Sequence, residues 1–373
     1  MSCVLLAGGG TGGHLYPALA LGAALQSARP GLEVHYVGAL RGVEARILPQ
    51  QQVPHTLLPL QPIRRDRVWQ NWRLLPALSG SALGLARLFR QLRPALVVGT
   101  GGYAAGPACM FAVLAGVPVA LQEQNAHPGF TIRLLSRWAR QVHLGFPEAA
   151  TGLHPGRRTE VLALGNPIRV SPPIARADAR REFGLAAEST VLLVVGGSQG
   201  AKAVNGALLA ALERVAAGAL AVPPQLEILW ATGPAHIEGV RERLAALRVL
   251  EWVHALGYID AMPHALAACD VALSRAGAMA TAELLAAGIP MLLVPLPTAA
   301  ADHQTFNARA LAQAGAATHI PERELTPDRL WQHVSTLAAD RERRTDMAAA
   351  ARQRARPEAA REIAAQLLRL VVP

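Results

Sequence analysis

This chain of 373 residues is poor in cysteine, lysine and aromatic residues. Its three cysteines, Cys3, Cys109 and Cys269, are far apart, and each lies in an apolar run. We therefore predict buried structural thiols, and neither a disulfide framework nor a zinc site. The sequence also contains no D-x-D and no H-x-x-x-H motif, so metal catalysis has no recognisable ligand set.

An uninterrupted apolar run of transmembrane length is also lacking. Residues 104–121 are uncharged and about long enough to span a bilayer, but Pro107, Gly116 and Pro118 interrupt them. A helix, a turn at Gly116 and a buried strand from Val117 fit this stretch better. The N-terminal apolar run is short and leads directly into glycines, unlike a signal peptide. We expect a reduced, cytoplasmic, soluble chain.

Positive charge, by contrast, is abundant, and almost all of it is arginine. The formal net charge is +10, and Lys202 is the only lysine. Such a charge suits an anionic partner, whether nucleic acid, an acidic membrane surface or a phosphorylated substrate. A GC-rich genome would favour the same arginine- and alanine-rich composition, so charge alone does not choose a partner.

Residues 63–75 combine four arginines, two tryptophans and several aliphatic residues. Tryptophan flanked by cations is typical of segments that lie on an anionic membrane surface. The segment fits equally well a helix whose tryptophans are part of a core. A nucleic-acid interface is less favoured, because no basic motif or stacking platform accompanies the arginines.

Short apolar runs alternate with longer helical patterns along the whole chain. Continuous hydrophobicity in the short runs predicts strands buried on both faces, and the β-α-β-α order predicts doubly wound parallel sheets. The predicted strands are Val4–Ala7, Glu33–Val37, His55–Leu58, Ala95–Gly99, Val117–Leu121, Gln141–Leu144, Val161–Leu164, Val191–Val195, Leu226–Trp230, Val271–Leu273 and Met291–Val294.

The alternation stops in a proline-rich stretch and then restarts. We therefore predict two Rossmann-like domains of similar design, with the N-terminal domain over residues 1–165 and the C-terminal domain over residues 174–355. Residues 166–173 would link them. Residues 356–373 contain a helix that could pack back on the N-terminal domain.

Two glycine loops follow predicted strands, and His14 stands just after the first. The first loop, residues 8–13, contains G-x-G-x-x-G, which lets the backbone approach an anion and aims helix N–H groups at it. The second predicted strand ends without an acidic residue, which disfavours NAD or FAD. His14 can be a general base, since imidazole accepts protons near neutral pH, or simply a residue that caps the turn.

The second loop, Gly196–Lys202, offers the Ser198 hydroxyl and converging backbone donors. Lys202 lies near a helix N-terminus, where a cation is unfavourable unless an anion is bound. A third glycine-rich loop, residues 99–103, follows another strand, and Asn125 follows the next one. In open α/β sheets these carboxyl ends are where ligands bind. Glu283, among apolar neighbours, could accept ribose hydroxyl groups.

Several motifs occur in the order found in one known family. They are GGTGGHLYPALA (9–20), GTGGYAAGP (99–107), QEQNAHPGF (122–130), GNPIR (165–169), GGSQGA (196–201), RAGAMATAEL (275–284) and DHQTFNA (302–308). With them the chain closely resembles the MurG family of N-acetylglucosaminyltransferases, members of glycosyltransferase family 28 that make lipid II in bacterial cell-wall synthesis. The resemblance runs from Val4 to about Ala317.

The resemblance implies a GT-B fold, in which two Rossmann-like, doubly wound parallel-sheet domains face each other across a cleft. The N-terminal domain would hold lipid I and associate with a membrane, and the C-terminal domain would bind UDP-GlcNAc. The implied partners are these two substrates, an anionic membrane surface and other cell-wall synthesis proteins, with no nucleic acid and no cofactor. The implied location is the cytoplasmic face of the cell inner membrane, as a peripheral protein.

The resemblance also implies site residues, with His14 as the catalytic base. The implied substrate-binding residues are Thr11, Gly12, Gly13, Asn125, Arg169, Ser198, Ile259, Ala278, Met279, Ala280, Thr281, Ala282, Glu283 and Gln304. Ser198 would contact the diphosphate, Ile259 the uracil and Glu283 the ribose, while Gln304 would lie near the donor sugar. The chain departs from the family pattern at Gln122, where histidine is usual, and at His127 and Ile132.

The implied reaction is an inverting, metal-independent transfer that serves peptidoglycan synthesis, and with it cell shape and division. His14 would deprotonate the 4-hydroxyl of the muramoyl sugar of lipid I. That oxygen would attack the anomeric carbon of GlcNAc from the face opposite UDP. The alternatives are a UDP-sugar epimerase on the same scaffold and a non-catalytic protein that binds a nucleotide sugar or a lipid.

Overall fold

The computed structural model describes residues 2–61, 75–247 and 251–371, with side chains of the second range described from residue 79. The predicted membrane segment, residues 63–75, lies outside the described residues except for Leu75, where a helix begins. The chain forms two compact units. One comprises Met1–Arg169 together with Arg356–Pro373, and the other comprises Val170–Ala355.

The first unit contains a parallel sheet whose central strands are buried by helices on both faces. Its strands are β1 (Cys3–Gly8), β2 (Glu33–Ala39), β3 (His55–Leu58), β4 (Leu96–Gly101), β5 (Val119–Glu123), β6 (Gln141–Leu144) and β7 (Glu160–Leu162). Its first helices are α1 (Gly12–Ala28), α2 (Glu44–Gln50), α3 (Leu75–Leu92), α4 (Gly102–Leu114) and α5 (Phe130–Leu135). The strand order β3-β2-β1-β4-β5-β6-β7 reverses direction at β1 and β4, so the ends of these two strands form the switch point where such sheets bind ligands.

The second unit repeats this design in Val170–Ala355. Its strands are β8 (Thr190–Val195), β9 (Leu226–Ala231), β10 (Val253–Leu256), β11 (Val271–Ser274), β12 (Met291–Leu293) and β13 (Ala317–His319). Its helices are α6 (Arg176–Glu182), α7 (Lys202–Ala216), α8 (Ile237–Leu247), α9 (Met262–Ala268), α10 (Ala278–Ala286), α11 (His303–Gln313), α12 (Pro327–Ala339) and α13 (Arg341–Arg354). The order β10-β9-β8-β11-β12-β13 places the switch point between β8 and β11.

Strand β1 shows why the first sheet is buried on both faces. Alternate side chains of β1 enter two different apolar clusters: Leu5 packs with α3, α4 and α5, whereas Leu6 packs with α1. The second cluster also receives Ile363 and Leu367 from the last helix, α14 (Ala359–Leu368), which contacts α1. The end of the chain therefore completes the core of the first unit.

The prediction of two doubly wound parallel sheets is confirmed, and each predicted strand has a counterpart. Strands β10 and β13 were not predicted, because both are short edge strands with mostly half-buried residues rather than a continuous apolar run. The predicted loop at residues 99–103 is instead the end of β4 and the start of α4. A separate glycine loop is absent there because β4 continues to Gly101, where a positive φ turns the chain directly into the helix.

Two further predictions concern burial. All three cysteines are buried, as predicted, and burial raises the pKa of each thiol to about 12. The interrupted run at residues 104–121 contains α4, a turn at Gly116 with a positive φ, and then β5, which begins at Val119 rather than Val117. None of the helices in the described part of the chain is both long and apolar enough to cross a membrane.

Candidate active site

In the first unit, the ends of β1 and β4 bring two glycine-rich segments into backbone contact. A Cβ atom at Gly102, the first residue of α4, would overlap the carbonyl oxygen of Gly9. Gly10 and Gly101 also have positive φ angles, which glycine adopts without strain. Only glycines allow this approach, so the loop before α1 and the start of α4 form one continuous surface at the switch point.

His14 lies in the first turn of α1 and is held in one orientation. Its Nδ1 atom lies 3.1 Å from the Thr100 carbonyl oxygen and 3.0 Å from Gln124 Oε1. Both are acceptors, because the Gln124 amide nitrogen itself donates to the Thr100 carbonyl at 2.8 Å. Nδ1 therefore carries the hydrogen, and the basic lone pair is on Nε2, for which the described residues provide no hydrogen-bond partner.

The His14 imidazole is neutral at physiological pH. Burial lowers its pKa from the ordinary value of 6.5, while the bonds to Gln124 and Thr100 and the charge of Glu44 partly oppose that shift. Thr100 also fixes the backbone, since its hydroxyl donates to the His14 carbonyl at 2.7 Å. A neutral imidazole in a fixed tautomer, with Nε2 unpaired, is the arrangement that a general base requires.

Behind His14 lies a network of buried amides that sequence reasoning did not identify as functional. The Gln122 amide donates to Asn166 Oδ1 at 3.1 Å, and the Asn166 amide donates to the Gln124 carbonyl at 2.9 Å. Gln124 Nε2 also donates to Gln122 Oε1. Gln122, which stands where the family usually has histidine, therefore supports Gln124 and through it the orientation of His14.

The remaining predicted residues of the first unit lie around this surface. Thr11 is the exposed N-cap of α1, and its side chain makes no capping hydrogen bond. Gly12 and Gly13 open the helix, with Gly13 exposed. Asn125 is half-buried after β5, where its side chain donates to Glu123 Oε1 at 3.1 Å. Arg169 is exposed at the boundary of the unit.

In the second unit, a cavity of about 900 Å³ lies at the carboxyl end of the sheet. The residues that line it are Gly196, Gly197, Gly200, Ala201, Lys202, Ala203, Gly206, Ala207, Ser274, Arg275, Gly277, Ala280, Leu296, Gln304, Glu322, Leu325 and Pro327. The structure thus brings together the second glycine loop, the start of α7 and the start of α10. The volume of the cavity is within the ordinary range for a small-molecule site.

Backbone contacts shape the glycine loop of this cavity. Gly200 has a φ of 75°, and a Cβ atom there would overlap the carbonyl oxygen of Thr232 at the end of β9. The close approach presses the loop against the sheet directly before α7 begins at Lys202. The first N–H groups of α7 and the loop amides consequently face the same cavity, which favours an anionic ligand.

The two cations that line the cavity differ in how they are paired. Arg275 is nearly buried: it forms an ion pair with Glu322 at 2.5 Å and donates to the Val294 carbonyl at 3.1 Å. Lys202 is exposed, and the described residues offer it no ion-pair partner. Lys202 therefore contributes uncompensated positive charge beside the loop, whereas Arg275 and Glu322 are mutually neutralised.

The predicted residues of the second unit have different environments. Gln304 lines the cavity, and its Oε1 accepts a hydrogen bond from the Leu296 amide at 3.0 Å. Within residues 278–283 of α10, Ala280 lines the cavity, and Glu283 is half-buried with a pKa raised by burial. Ser198 is exposed on the glycine loop, whereas the Ile259 side chain is only 3% exposed.

Two doubly wound units, one holding an oriented histidine and the other a glycine-lined cavity, together with the matching family models, place the chain among the glycosyltransferases. The chain belongs to glycosyltransferase family 28. The model of that family's N-terminal domain matches residues 4–144, and the model of its C-terminal domain matches residues 191–365. The prediction of family and enzyme class is confirmed.

Similar proteins include one from Moorella thermoacetica named UDP-N-acetylglucosamine--N-acetylmuramyl-(pentapeptide) pyrophosphoryl-undecaprenol N-acetylglucosamine transferase. It is 44% identical over 99% of both chains. The crystal structure of Acinetobacter baumannii MurG has a TM-score of 0.78 and 33% identity over 99% of this chain and 100% of that one. A putative UDP-N-acetylglucosamine 2-epimerase from Listeria monocytogenes, covering 97% of this chain and 94% of its own, shares the fold at a TM-score of 0.66 with 14% identity.

Proposed function

We propose that the chain transfers N-acetylglucosamine from UDP-GlcNAc to the 4-hydroxyl of the MurNAc-pentapeptide of lipid I, giving lipid II. The main observation behind the proposal is the hydrogen bonding of the His14 imidazole. With Nδ1 bound to Thr100 and Gln124, its Nε2 is free to accept the proton of an acceptor hydroxyl. The Moorella thermoacetica relative, 44% identical, carries the name of this transferase.

The second unit is the donor site of the proposal. The loop amides and the N-terminus of α7 bind the UDP diphosphate together with the Ser198 hydroxyl, and Lys202 supplies a positive charge. Glu283 accepts hydrogen bonds from the ribose, and Gln304 contacts the GlcNAc. Because the Ile259 side chain is buried, Ile259 offers the uracil its backbone groups. The first turns of α10 (Ala278, Met279, Ala280, Thr281 and Ala282) approach the nucleotide closely because their side chains are mostly small.

The first unit supplies the acceptor site and the base. His14 Nε2 takes the proton of the MurNAc 4-hydroxyl while that oxygen forms a bond to the anomeric carbon of GlcNAc. The bond from that carbon to UDP breaks on the opposite face, so the configuration inverts. Thr11, Gly12 and Gly13 present N–H groups of α1 to the donor, with Asn125 and Arg169 as further polar contacts.

Transfer of radiolabel from UDP-GlcNAc to a prenyl-diphosphate acceptor tests the proposal. Labelled lipid II is the expected product with wild-type protein. Epimerisation of UDP-GlcNAc without lipid would support the epimerase instead, and binding without turnover would support a non-catalytic protein. Replacing His14 by alanine should lower kcat on the order of 10²–10⁴-fold, as expected for loss of a general base. Near-normal turnover would refute the base assignment.

Exposed apolar side chains on the first unit support the proposed peripheral association with a membrane. They are Leu83, Leu114, Phe130, Leu134 and Trp138, each at least 45% exposed. Helix α4 contacts both α3 and α5, so these helices are neighbours on one face of the sheet. Phe130 and Leu134 lie on one side of α5, and Trp138 lies in the turn that follows this helix.

Exposed arginines occur in or just after the same helices, namely Arg87 and Arg90 in α3 and Arg137 and Arg140 after α5. Apolar side chains flanked by cations suit the interface of an anionic bilayer. Co-sedimentation with anionic liposomes should therefore weaken when Leu134 and Trp138 are both replaced by serine. Replacing Arg64, Arg65, Trp69 and Trp72 tests residues 63–75 separately, and unchanged sedimentation would remove that segment from the interface.

A further inference from the structure

Glu44 is a carboxylate with no exposed surface that lies beside the first glycine loop. Its Oε2 atom accepts a hydrogen bond from the Gly10 amide at 2.9 Å. Its Oε1 atom accepts one from the Ala39 amide at 2.9 Å and a longer one from Gly10 at 3.2 Å. One side chain at the start of α2 thus ties the loop after β1 to the end of β2.

The surrounding glycines leave room for this carboxylate. A Cβ atom at Gly9, Gly38 or Gly42 would overlap the Glu44 side chain. Each of these glycines belongs to a different segment: the first loop, strand β2 and the turn before α2. The backbone on three sides is therefore shaped around one buried charge, which is costly to bury unless its hydrogen bonds are made.

The charge of Glu44 also acts on the proposed base. Its Coulomb interaction raises the pKa of His14, opposing the larger effect of burial. Among the described residues, two tyrosines are the other titratable side chains at this loop: the Tyr103 ring packs against Gly10 and the Tyr16 ring against Gly12. Burial and the charge of Glu44 raise the pKa of Tyr103, so the phenol stays neutral and Glu44 is the charge that His14 experiences.

We propose that Glu44 is a positioning residue for the transfer reaction, which holds the first glycine loop in its shape and stabilises the imidazolium that His14 becomes on accepting a proton. The inference rests on the proposed function, in which His14 is the base. Glu44 itself touches neither substrate. It acts through the Gly10 backbone and through its electrostatic field.

The test compares Glu44→Gln with Glu33→Gln, which removes the same charge from an exposed position on the same unit. A glutamine side chain can place its oxygen where Oε1 accepts from Ala39, but its NH₂ group would then face the Gly10 N–H, and two donors cannot bond to each other. The substitution also removes the negative charge. We expect kcat to fall about 10- to 100-fold, the range for a slightly misplaced catalytic group. The acid-side midpoint of the kcat–pH profile should move to lower pH, while UDP affinity changes by less than about threefold.

Histidine NMR titration separates this inference from the proposed function. The His14 signals, assigned by comparison with His14→Asn, should titrate at lower pH in Glu44→Gln than in the wild type, whether or not transfer is observed. If Glu44→Gln does not fold, Glu44→Asp keeps the charge, and we expect reduced kcat with an unmoved acid-side midpoint. A folded Glu44→Gln with wild-type kcat and His14 titration, or a folded Glu44→Asp with wild-type kcat, would overturn the inference.

Discussion

The conformation of Gly200 gives a stringent test of the proposed donor site. Gly200 has a φ of 75°, and a Cβ there would overlap the Thr232 carbonyl oxygen. Gly218, just past the end of α7, has a φ of 74° but no atom within 4 Å of the same hypothetical Cβ. Alanine at either position has the same backbone strain, and only Gly200→Ala forces a neighbouring backbone atom to move.

Comparing the two substitutions should therefore distinguish the effect of backbone strain, which both have, from the effect of a displaced loop, which only Gly200→Ala has. Left-handed geometry costs an alanine about 1–2 kcal/mol, so Gly218→Ala should lower the free energy of unfolding by that amount. Gly200→Ala adds an overpacking cost of about 1–3 kcal/mol. It should also weaken UDP binding at least tenfold, or about 1.4 kcal/mol, because the loop amides no longer converge on the diphosphate.

Isothermal titration with UDP, together with thermal unfolding, measures both quantities. Gly218→Ala should bind UDP as tightly as the wild type despite its lower stability. If Gly200→Ala also binds UDP with wild-type affinity, the glycine loop does not position the diphosphate. If Gly218→Ala weakens binding equally, the loss reflects general instability rather than the geometry of the loop.

Three further predictions rest on other features. Since burial lowers the pKa of His14 below 6.5, kcat measured at saturating substrate should stay constant as the pH falls to 6.5. It should be lost only as the pH falls through that lowered value, and loss centred above pH 6.5 would contradict the assignment. Replacing Glu283 by glutamine should weaken UDP binding about 10-fold or more, because hydrogen bonds to a charged acceptor contribute about 1.5–3 kcal/mol. Because the pKa of Glu283 is raised, wild-type affinity by calorimetry should fall as the pH drops through that raised value, and the Glu283→Gln variant should lack this dependence. Finally, Gly239→Ala adds a Cβ atom in open space on the exposed face of α8. It should stabilise the protein by about 0.5–1 kcal/mol in thermal unfolding, and a lower unfolding temperature would show that this position needs glycine.

The sequence alone determined the alternation of strands and helices and the position of the glycine loops after β1 and β8. These features are local, because burial on both faces gives a strand a continuous apolar run and a close backbone approach requires glycine. Strands β10 and β13 were missed because edge strands need no such run. Motif resemblance further identified His14, whose position next to a glycine loop is itself a local signal.

Only the tertiary structure decided how His14 is controlled. Thr100 and Gln124 are 86 and 110 residues away from it in the chain, and they reach it because β1 lies beside β4 and β4 beside β5. Nothing in the sequence indicated a role for Glu44, because Gly9, Gly38 and Gly42 surround its side chain only after β1 and β2 have paired. Strand order is set by the packing of the whole sheet, so the hydrogen-bond partners of His14 cannot be deduced from the residues adjacent to it in the chain.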